Sequence, residues 1–423
     1  MTESVTHPAQ VWDIGRSPVW EVSRAPDDLA DPHFYTDGRH LEIWRAARRV
    51  HPVAWTESGE GGVWSVTTHR EGLRVLKQPA VFRSGLGMRL GSDPAAVRAA
   101  SDRMLVVSDG ERHRALRSAH SSWFTPRAVA ALRPMLQRRL DAALRELLAR
   151  GTAFDAVAEL AVRIPTWVLF DMMGVAGEDW EELARMTDRA FDDSDGDPAA
   201  RAARTEAHTE IFGYFADLLD QRRECPGQDI VTSLIQARPG GRPLSDEDVI
   251  LNCDGLMNGG LETTPHAVSG ALLVLAQHPR AWERLKERPD LVDSAAEEIL
   301  RWTSPPTHAM RIATEDTDLG PARIRRGDRV VIWFPSCNRD ESVFDDPDTF
   351  LIDRSPNPHI SFGAGPHHCI GSTLARLEVR CVLDALLRRV RTIEVVGEPV
   401  RRASNFLHGL AHLEVRLTPE DRA

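Results

Sequence analysis

The sequence predicts a mainly α-helical protein with small β-sheets, an α+β fold. Apolar residues recur at helical spacing over most of the stretch from about Asp109 to Trp302, whereas strand-like stretches are short and lie towards the two ends of the chain. No internal repeat, low-complexity tract or linker divides the 423 residues. Length alone would allow about two or three domains, but this pattern favours a single domain over residues 1–423.

Clusters of Gly, Pro and Asp separate the stretches that carry the helical pattern. The predicted helices are Arg127–Leu148, Phe154–Met172, Asp179–Phe191, Arg201–Arg222, Asp246–Gln277 and Asp293–Trp302. The predicted strands are Val53–Thr56, Val63–Thr67, Val330–Phe334, Ile393–Val396 and His412–Leu417. Together they predict a helix-rich body over about 68–302 and 369–388, with small sheets near 53–67, 307–335 and 391–417.

Charge and composition exclude several classes of protein. The formal net charge of −11 argues against a nucleic-acid partner. Residues Met1–Trp20 lack the basic and apolar segments of a signal peptide, and the longest apolar runs are far shorter than the roughly 20 residues that span a bilayer. The 5 cysteines are scattered without a CxxC pair, which is typical of reduced thiols and not of a disulfide framework or a zinc site. We therefore expect a cytoplasmic protein with neither nucleic-acid nor membrane partners.

Two loops are candidates for a functional role. Arg83–Asp102 is long, Gly-rich and irregular, and it carries Leu86 and Met88; loops of this kind are usually either functional or disordered. The acidic turn Asp192–Asp197 joins two amphipathic helices and would suit the hinge of a lid. For both loops, a solvated surface segment is the alternative interpretation.

A Gly-rich loop before the last long helical run carries the most specific motif of the chain. The sequence Phe362–Gly371 reads FGAGPHHCIG, and a helical run over Ser372–Leu387 follows it. Cys369 therefore lies at a helix N-terminus, where free N–H groups and the helix dipole favour a thiolate. We expect Gly363 to let the backbone turn beneath a flat ligand and Gly371 to let the helix approach it closely. The alternative, a small buried hydrophobic residue, fits the other cysteines but leaves these glycines unexplained.

The predicted helix Asp246–Gln277 contains a weak point at its centre. Two adjacent glycines and a proline within Asn258–Pro265 cost about 1 and 3 kcal/mol per residue relative to alanine, so a kink or a widened turn is expected there. The Thr263 hydroxyl can bond back to a carbonyl near Gly259. The result would be a groove with a hydroxyl and the Glu262 carboxylate at its lip, although both can equally be ordinary helix residues.

The Cys369 loop resembles the haem-binding loop of the cytochrome P-450 family, F-G-x-G-x-H-x-C-x-G, and every fixed position matches. The resemblance extends over roughly Phe34 to Leu417 and implies a single-domain cytochrome P-450 fold with a long central helix over the haem. It implies haem b (iron protoporphyrin IX) as cofactor, with Cys369 as the axial ligand of the iron and Phe362, Gly363 and Gly371 forming the loop around it. Thiolate ligation favours cleavage of the O–O bond of dioxygen.

Other segments are similar to further family motifs. The break in the central helix resembles the oxygen-binding pattern A/G-G-x-D/E-T, which implies that the Thr hydroxyl and the acid help to deliver protons to bound O2; its positions here are Gly259, Gly260, Glu262 and Thr263. Glu298 and Arg301, spaced to pair on one helix face, resemble the structural pair that holds the loop leading to the cysteine. The residues expected to bind the haem propionates are His113, Arg117, Arg311 and His367, with Ala115 in place of a further arginine.

The resemblance also places a substrate cavity among the loops around the central helix. Its expected lining is apolar with a few polar anchors, as in an ordinary small-molecule site. The residues expected there are Leu86, Met88, Met104, Leu256, Asn258, Gly259, His308, Met310, Asn405, Phe406 and Leu407. They suggest a small lipophilic substrate, such as a terpenoid, polyketide or peptide-derived intermediate of natural-product metabolism.

The function favoured by these observations is a monooxygenase that uses O2 and external electrons. By family analogy the electrons come ultimately from NAD(P)H through a ferredoxin and a ferredoxin reductase, which would dock on the Cys369 face of a monomer, where Arg112 and Arg114 could meet an acidic partner. Three alternatives stay open. A peroxide-driven haem enzyme and a non-enzymatic haem-based sensor or carrier would not need the Glu262–Thr263 pair, and a purely helical scaffold would not need the Phe362–Gly371 loop.

Overall fold

The computed structural model describes residues 30–56, 61–190 and 198–420. The helices within these residues are α1 (Arg39–Val50), α2 (His69–Lys77), α3 (Pro94–Ala100), α4 (Gly110–Ser121), α5 (Pro126–Arg150), α6 (Arg163–Met173), α7 (Trp180–Ala190), α8 (Pro198–Glu224), α9 (Ile230–Gln236), α10 (Asp246–Leu261), α11 (Thr264–Gln277), α12 (Pro279–Glu287), α13 (Val292–Thr303), α14 (Phe334–Cys337) and α15 (Ser372–Arg389). The strands are β1 (Val53–Thr56), β2 (Val63–Val66), β3 (Phe82–Arg83), β4 (Phe154–Asp155), β5 (His308–Ala313), β6 (Thr317–Leu319), β7 (Ala322–Ile324), β8 (Arg329–Trp333), β9 (Val390–Val395), β10 (Val400–Arg401), β11 (Leu410–His412) and β12 (Glu414–Pro419). The segment Met1–Trp20 and the acidic turn Asp192–Asp197 lie outside the described residues.

The mainly α-helical fold with small sheets is confirmed, but two of the predicted helices are wrong in part. The predicted helix Phe154–Met172 begins instead as strand β4, continues as a π-helical turn over Val157–Ala161 and becomes α-helical only in α6. Its first residues pair with β12, Phe154 lying opposite Val415. A pairing partner more than two hundred residues away thus overrides the local helical pattern, which sequence periodicity cannot detect. The other exception is the central helix, which is interrupted between α10 and α11.

The strands near both ends of the chain join in one five-stranded sheet of order β1-β2-β8-β5-β3. β2 and β8 run parallel, with Trp64 opposite Val330, and the other neighbours are antiparallel. All the residues of β5 are buried, because this strand lies inside the sheet between β8 and β3. β5 carries His308 and Arg311 to the edge of the central cavity. A second sheet, of order β4-β12-β9, holds the C-terminal strands against the start of α6.

The main hydrophobic core lies where α5, α6, α11, α13 and α15 pack together. Leu136, Leu272, Ile299 and Leu386 are among its fully buried side chains. Each leucine or isoleucine buried in this way contributes about 1.5–3 kcal/mol relative to an exposed position. This core holds the two helices that flank the cavity, α11 and α15, in a fixed relation.

A buried ion-pair network connects the end of α13 to the segment that leads to Cys369. Arg301 Nε lies 2.8 Å from Glu298 Oε2, both side chains are 0% exposed, and Arg354 Nε lies 3.1 Å from the same oxygen. Arg301 also donates to the backbone oxygens of Asn338 and Pro347, at 2.8 and 2.9 Å. The Glu298 carboxylate therefore organises, through its two arginines, a segment that has little regular secondary structure of its own.

Candidate functional site

The loop before α15 is shaped by two glycines in left-handed conformations. Gly363 and Gly365 have φ values of +67° and +69°, which side chains other than glycine rarely adopt. A Cβ atom at Gly365 would lie only 2.5 Å from the backbone oxygen of Leu76, so α2 lies directly against the loop. The N–H of Cys369 donates to the oxygen of Phe362 at 2.8 Å and closes the turn. The loop thus presents the Cys369 side chain to the central cavity.

The electrostatic surroundings of the Cys369 sulfur act in opposite directions. Burial raises the pKa of the thiol, whereas the backbone N–H of Gly371 and the Arg117 guanidinium lower it, and burial is the largest effect. The N–H groups at the start of α15 thus act in the direction that the sequence predicts, but burial outweighs them. A metal cation bound to the sulfur is what would deprotonate it, since a coordinating thiol loses its proton outright.

The break in the central helix has the form that the sequence predicts. Thr263 lies between α10 and α11, and its Oγ1 donates to the oxygen of Gly259 at 2.8 Å. The break also explains Pro265, which lies in the first turn of α11, where a backbone N–H has no intrahelical partner and proline is well tolerated. A Cβ atom at Gly260 would lie 2.8 Å from Leu169 Cδ2, so α6 packs closely against the turn. The Thr263 side chain lines the cavity.

The Glu262 side chain points away from the cavity. It is the first of three charged side chains, Glu262, Arg402 and Asp188, that lead to the surface. The side chain is 7% exposed, and its Oε2 lies 3.9 Å from Nη2 of Arg402. Nη1 of Arg402 donates to Asp188 Oδ1 at 2.7 Å, and the Asp188 side chain is 69% exposed. Sequence reasoning did not find Arg402, because its relation to Glu262 exists only through the packing of the C-terminal segment against α10.

The four residues expected to bind the propionates come together at one edge of the cavity. His113, Arg117, Arg311 and His367 all line it. The rings of His113 and His367 lie 4.1 Å apart between centroids, and Arg117 Nη2 donates to the oxygen of His368 at 2.7 Å. Burial lowers the pKa of His113 to about 4 and that of Arg311 to about 10. The two arginines therefore supply the positive charge that an anionic group at this edge needs.

Asp109 belongs to the same edge and was not singled out from the sequence. Its Oδ1 lies 3.4 Å from His367 Nε2, and its two carboxylate oxygens accept the N–H groups of Ser84 and Gly85 at 3.2 and 2.7 Å. Burial raises the pKa of Asp109, but the hydrogen bonds from His367 and from these backbone groups leave it below its ordinary value. The carboxylate thus fixes His367 and the start of the loop that follows β3.

A large cavity joins Cys369 to the helix break. Its empty volume is about 1670 Å³, including the solvent at its mouth. Of the residues expected to form the substrate pocket, Met88, Met104, Leu256, Gly259, His308 and Phe406 line it. Both ring nitrogens of His308 are engaged within the protein, with Leu90 and Asn405, so this side chain is not a free polar anchor.

Five other expected pocket residues, including Asn405 and Leu407, do not line the cavity. Leu86 is 60% exposed on the surface of its loop. Met310 is buried in a separate hydrophobic cluster, with Val331 and Trp333, because it faces the side of β5 opposite to Ala309 and Arg311, which line the cavity. Asn258 does not line the cavity, and its buried Oδ1 has no hydrogen-bond partner among the described residues. The assignment of these residues to the pocket is therefore corrected.

The cavity also has lining residues that the sequence did not indicate. They come from α4 to α6, from α10 and from α15, and include His120, Phe124, Pro165, Leu169, Asn252 and Glu378. Burial raises the pKa of Glu378 to about 8, whereas the hydrogen bond that its Oε2 accepts from the Thr264 hydroxyl at 3.3 Å lowers the pKa. For Asn252 a signal existed, since it precedes Leu256 by one turn and Gly259 by two on the same helix face.

The residues around the cavity fit a haem held by a thiolate. The Cys369 sulfur faces one end of a largely apolar space, with Thr263 and the helix break beyond it and the half-buried Arg117 and the buried Arg311 at its edge. Within residues 30–56, 61–190 and 198–420, no group of three or more His, Cys, Asp and Glu side chains could hold a bare metal ion. The donor set therefore suits a metal that brings most of its own ligands, as a porphyrin does.

Comparison with known proteins identifies the class of protein. The family model "Cytochrome P450" matches residues 198–406. The chain is 36% identical over 393 residues to cytochrome P450 NovI of Streptomyces niveus, spanning 92% of this chain and 96% of that protein. It is 34% identical over 405 residues to linalool 8-monooxygenase of Pseudomonas putida, spanning 93% and 99%. The crystal structure of P450 OxyD, which is involved in the biosynthesis of vancomycin-type antibiotics, superposes with a TM-score of 0.85 at 37% identity over 93% of this chain and all of that one.

The chain belongs to the cytochrome P450 family and has its fold. It is accordingly an oxidoreductase of the cytochrome P450 monooxygenase class, whose cofactor is haem and whose oxidant is O2. None of the helices in the described part of the chain combines the length and the apolar character needed to cross a membrane.

Proposed function

We propose that this chain is a cytoplasmic, monomeric monooxygenase that oxidises a lipophilic small molecule in natural-product (secondary-metabolite) metabolism, with electrons from a separate ferredoxin and ferredoxin reductase. The observation that carries the proposal is that Cys369, Thr263, the half-buried Arg117 and the buried Arg311 all line one largely apolar cavity. The break in the central helix and the cysteine loop are more than a hundred residues apart in sequence, and the fold brings them to one space.

Each residue has a distinct part in this proposal. Cys369 would hold the haem iron, and Arg117 and Arg311 would bind the propionates together with His113 and His367. When bound, the haem supplies the activation of dioxygen and the insertion of one oxygen atom into the substrate. The protein contributes the thiolate, the orientation of the cofactor and the exclusion of water from the cavity.

In this proposal the residues of the helix break deliver protons to dioxygen. The Thr263 hydroxyl faces the cavity, and the hydrogen bond that it donates to the oxygen of Gly259 holds it in one orientation. Glu262 can take up and release a proton at its carboxylate, and Arg402 holds that carboxylate near the surface residue Asp188. Arginine stays protonated throughout, so Arg402 orients the acid and does not itself carry the proton. A peroxide-driven enzyme does not need protons to be supplied to dioxygen. This need distinguishes the present proposal from that alternative.

The lining of the cavity supports a lipophilic substrate. Met88, Leu256, Leu169 and Phe406 offer apolar contact, and few polar groups interrupt them. Two relatives are named for related chemistry, linalool oxidation in one and the biosynthesis of vancomycin-type antibiotics in the other. We therefore assign this chain a terpenoid, polyketide or peptide-derived intermediate as its substrate class.

The face that would receive the electron donor is less basic than the sequence suggests. Arg112 is engaged within the protein, since it donates to the oxygen of Asp102 and to Asp248 Oδ2 at 2.9 and 3.0 Å. Arg114 is exposed, and its pairing with Glu111 at 3.7 Å is a weak surface contact. Of the two candidate arginines, Arg114 is therefore the one that can meet an acidic ferredoxin.

The test of the proposal is the ligand of the iron. The dithionite-reduced protein with carbon monoxide should show the red-shifted Soret band of thiolate ligation, and Cys369→Ser should lose it. Cys381→Ser is the matched control, because Cys381 is buried in α15 without lining the cavity and the variant should keep the band. A wild-type protein with an unshifted band, or substrate oxidation that proceeds with peroxide and not with NAD(P)H and a ferredoxin system, would contradict the proposal.

A further inference from the structure

His308 lies at the point where three segments around the cavity meet. The side chain is 1% exposed. Its Nε2 lies 2.9 Å from the N–H of Leu90, and its Nδ1 lies 3.1 Å from the oxygen of Asn405. A backbone N–H can only donate, so Nε2 must accept and the single ring proton must be on Nδ1, which donates to Asn405. One neutral tautomer therefore satisfies both bonds.

The two partners of His308 belong to the two irregular walls of the cavity. Leu90 is in the segment between β3 and α4, which contains the short helix α3 and is called the loop here. This loop also bonds to β5, because the N–H of Met310 donates to the oxygen of Met88 at 2.7 Å. Asn405 precedes Phe406 in the C-terminal turn. Met88 and Phe406 both line the cavity. The His308 ring thus connects a buried strand to two segments without regular secondary structure, one on either side.

Other contacts hold the ends of the loop but leave its middle to β5. Asp109 accepts the N–H groups of Ser84 and Gly85 at the beginning of the loop. At its end, Asn252 of α10 accepts the N–H of Leu105 at 3.0 Å. Between these two points, His308 receives the N–H of Leu90 from the strand side. The middle of the loop is therefore held to β5 by two contacts, the bond between Met310 and Met88 and the side chain of His308.

The ring itself is held by packing as well as by hydrogen bonds. It makes edge contacts with Trp333 and Phe406, with centroids 5.2 and 5.5 Å away. The Arg89 guanidinium of the loop lies 5.4 Å from the Phe406 ring on the same side. Burial lowers the pKa of His308 to about 3, so the ring stays neutral at ordinary pH. An aromatic replacement can consequently keep the shape of the site while removing both hydrogen bonds.

We propose that His308 is a positioning residue that clamps the loop between β3 and α4 to the C-terminal turn, and that this clamp limits the size of the molecules admitted to the cavity. The proposal rests on the proposed function, in that the admitted molecules are substrates of the haem site. His308 itself offers a substrate no free hydrogen-bonding atom, because both of its nitrogens are already bonded within the protein. Its effect on specificity is exerted through the loop.

The first test measures the loop directly by hydrogen–deuterium exchange of the holoenzyme. In His308→Phe, the amides of the segment around Leu90 should exchange about tenfold faster or more, since the N–H of Leu90 loses its acceptor and the link to Asn405 is lost. His308→Gln, whose amide offers one donor and one acceptor, should restore much of the protection. His278→Phe is the control, because His278 bonds only to its own helix at Val274 and does not line the cavity.

The second test measures admission with imidazole and the bulkier 4-phenylimidazole as probes that bind the ferric iron. In His308→Phe, the association rate of 4-phenylimidazole should rise several-fold relative to that of imidazole, whereas His278→Phe should leave the ratio unchanged. Unchanged exchange around Leu90 in a haem-loaded His308→Phe protein would overturn the clamp. Faster exchange with an unchanged ratio of rates would overturn its role in admission.

Two further outcomes keep these tests distinct. If His308→Phe fails to fold, we compare His308→Gln with His308→Leu. Equal exchange around Leu90 in these two variants would overturn the hydrogen-bond clamp. If the wild-type protein lacks the red-shifted carbon monoxide band, the proposed function fails, whereas the exchange experiment still decides whether His308 holds the loop.

Discussion

At the scale of single residues, two adjacent threonines at the helix break have different surroundings. Both line the cavity, but Thr263 Oγ1 donates to the oxygen of Gly259, whereas Thr264 Oγ1 donates to the buried carboxyl of Glu378. Thr263 is also adjacent to Glu262, whose carboxylate is directed towards Arg402. Hydroxyls of the same chemistry, one residue apart, thus allow the proton-handling role to be assigned to one of them by substitution.

We predict that Thr263→Ala keeps its haem but diverts electrons to hydrogen peroxide. The reason is that the hydroxyl next to the acid is lost while the fold of the break, held by backbone bonds, is retained. Product formed per NAD(P)H consumed should fall by about tenfold or more, because a positioned proton-transfer group typically accelerates its step by about 10²–10⁴-fold. Thr263→Ser keeps the hydroxyl and should stay near the wild-type value; an alanine variant that is equally well coupled would show that Thr263 has no such role.

Arg402 gives a second prediction at the same scale. Arg402→Ala should lower product formed per NAD(P)H several-fold, because the Glu262 carboxylate would lose the cation that lies 3.9 Å away and orients it. Arg402→Lys should recover part of the coupling, since it keeps the charge without the planar group. Asp188→Asn should have a smaller effect, because that side chain is 69% exposed and its pairing is screened by solvent. Equal coupling in wild-type and Arg402→Ala proteins would contradict this account.

At the scale of elements, the sequence contains several Glu-x-x-Arg spacings that have very different structural consequences. Glu182 and Arg185 form an exposed pair on α7, with side chains 44% and 70% exposed. Glu298 and Arg301 form a pair that is fully buried at the end of α13 and that binds the segment leading to the cysteine loop. The spacing is the same, but only burial makes the second pair an organising centre.

Glu298→Ala should therefore yield little haem-loaded protein. Removing one partner of a buried ion pair costs about 3–5 kcal/mol, because the remaining charges of Arg301 and Arg354 stay buried without compensation. The ratio of haem absorbance to protein absorbance after purification measures the effect, together with the urea midpoint. Glu182→Ala is the matched control and should change neither by more than a small amount. Normal haem loading of Glu298→Ala would mean that another contact organises the segment.

At the scale of the whole molecule, several buried histidines far apart in sequence come together beneath the C-terminal turn. His40 of α1 lies with its ring centroid 5.4 Å from that of His408, and His266 of α11 lies against the backbone at Gly409. Burial lowers the pKa of His266 and of His408 to about 3 and that of His40 well below its ordinary value. Arg401, Arg402 and Arg339 lie near them and add to the effect.

This arrangement predicts loss of stability in mild acid. A histidine whose pKa is lower in the folded than in the unfolded protein favours folding above its unfolded value of 6.5, and that contribution is lost as the pH falls from 6.5 towards about 3. Each such group costs up to about 1.4 kcal/mol per pH unit in that window. The free energy of unfolding in urea should thus fall between pH 7 and pH 5. His266→Leu should make this pH dependence shallower, and an identical dependence would contradict the role of His266.

Much of the site could be predicted because its motifs are local. The turn of the Cys369 loop depends on glycines within a few residues, and the helix break depends on Gly259, Gly260 and the hydroxyl of Thr263 one turn later. The residues that line the pocket were harder to predict from the sequence. Leu86 and Met310 are apolar, as expected for a lining, but one lies on the surface and the other on the opposite side of its strand. Orientation of this kind depends on the sheet and loop geometry, which short-range patterns do not contain.

By itself the sequence determined the chemistry, because the ligand loop and the helix break are encoded by contiguous residues whose backbone requirements are satisfied locally. The tertiary structure alone decided which side chains surround that chemistry. Arg402, Asp109 and Glu378 come to the site, and His308 becomes a link between two walls, because segments distant in the chain pack against α10, β5 and α15. Such contacts depend on how the whole core closes, and no stretch of the sequence specifies them alone.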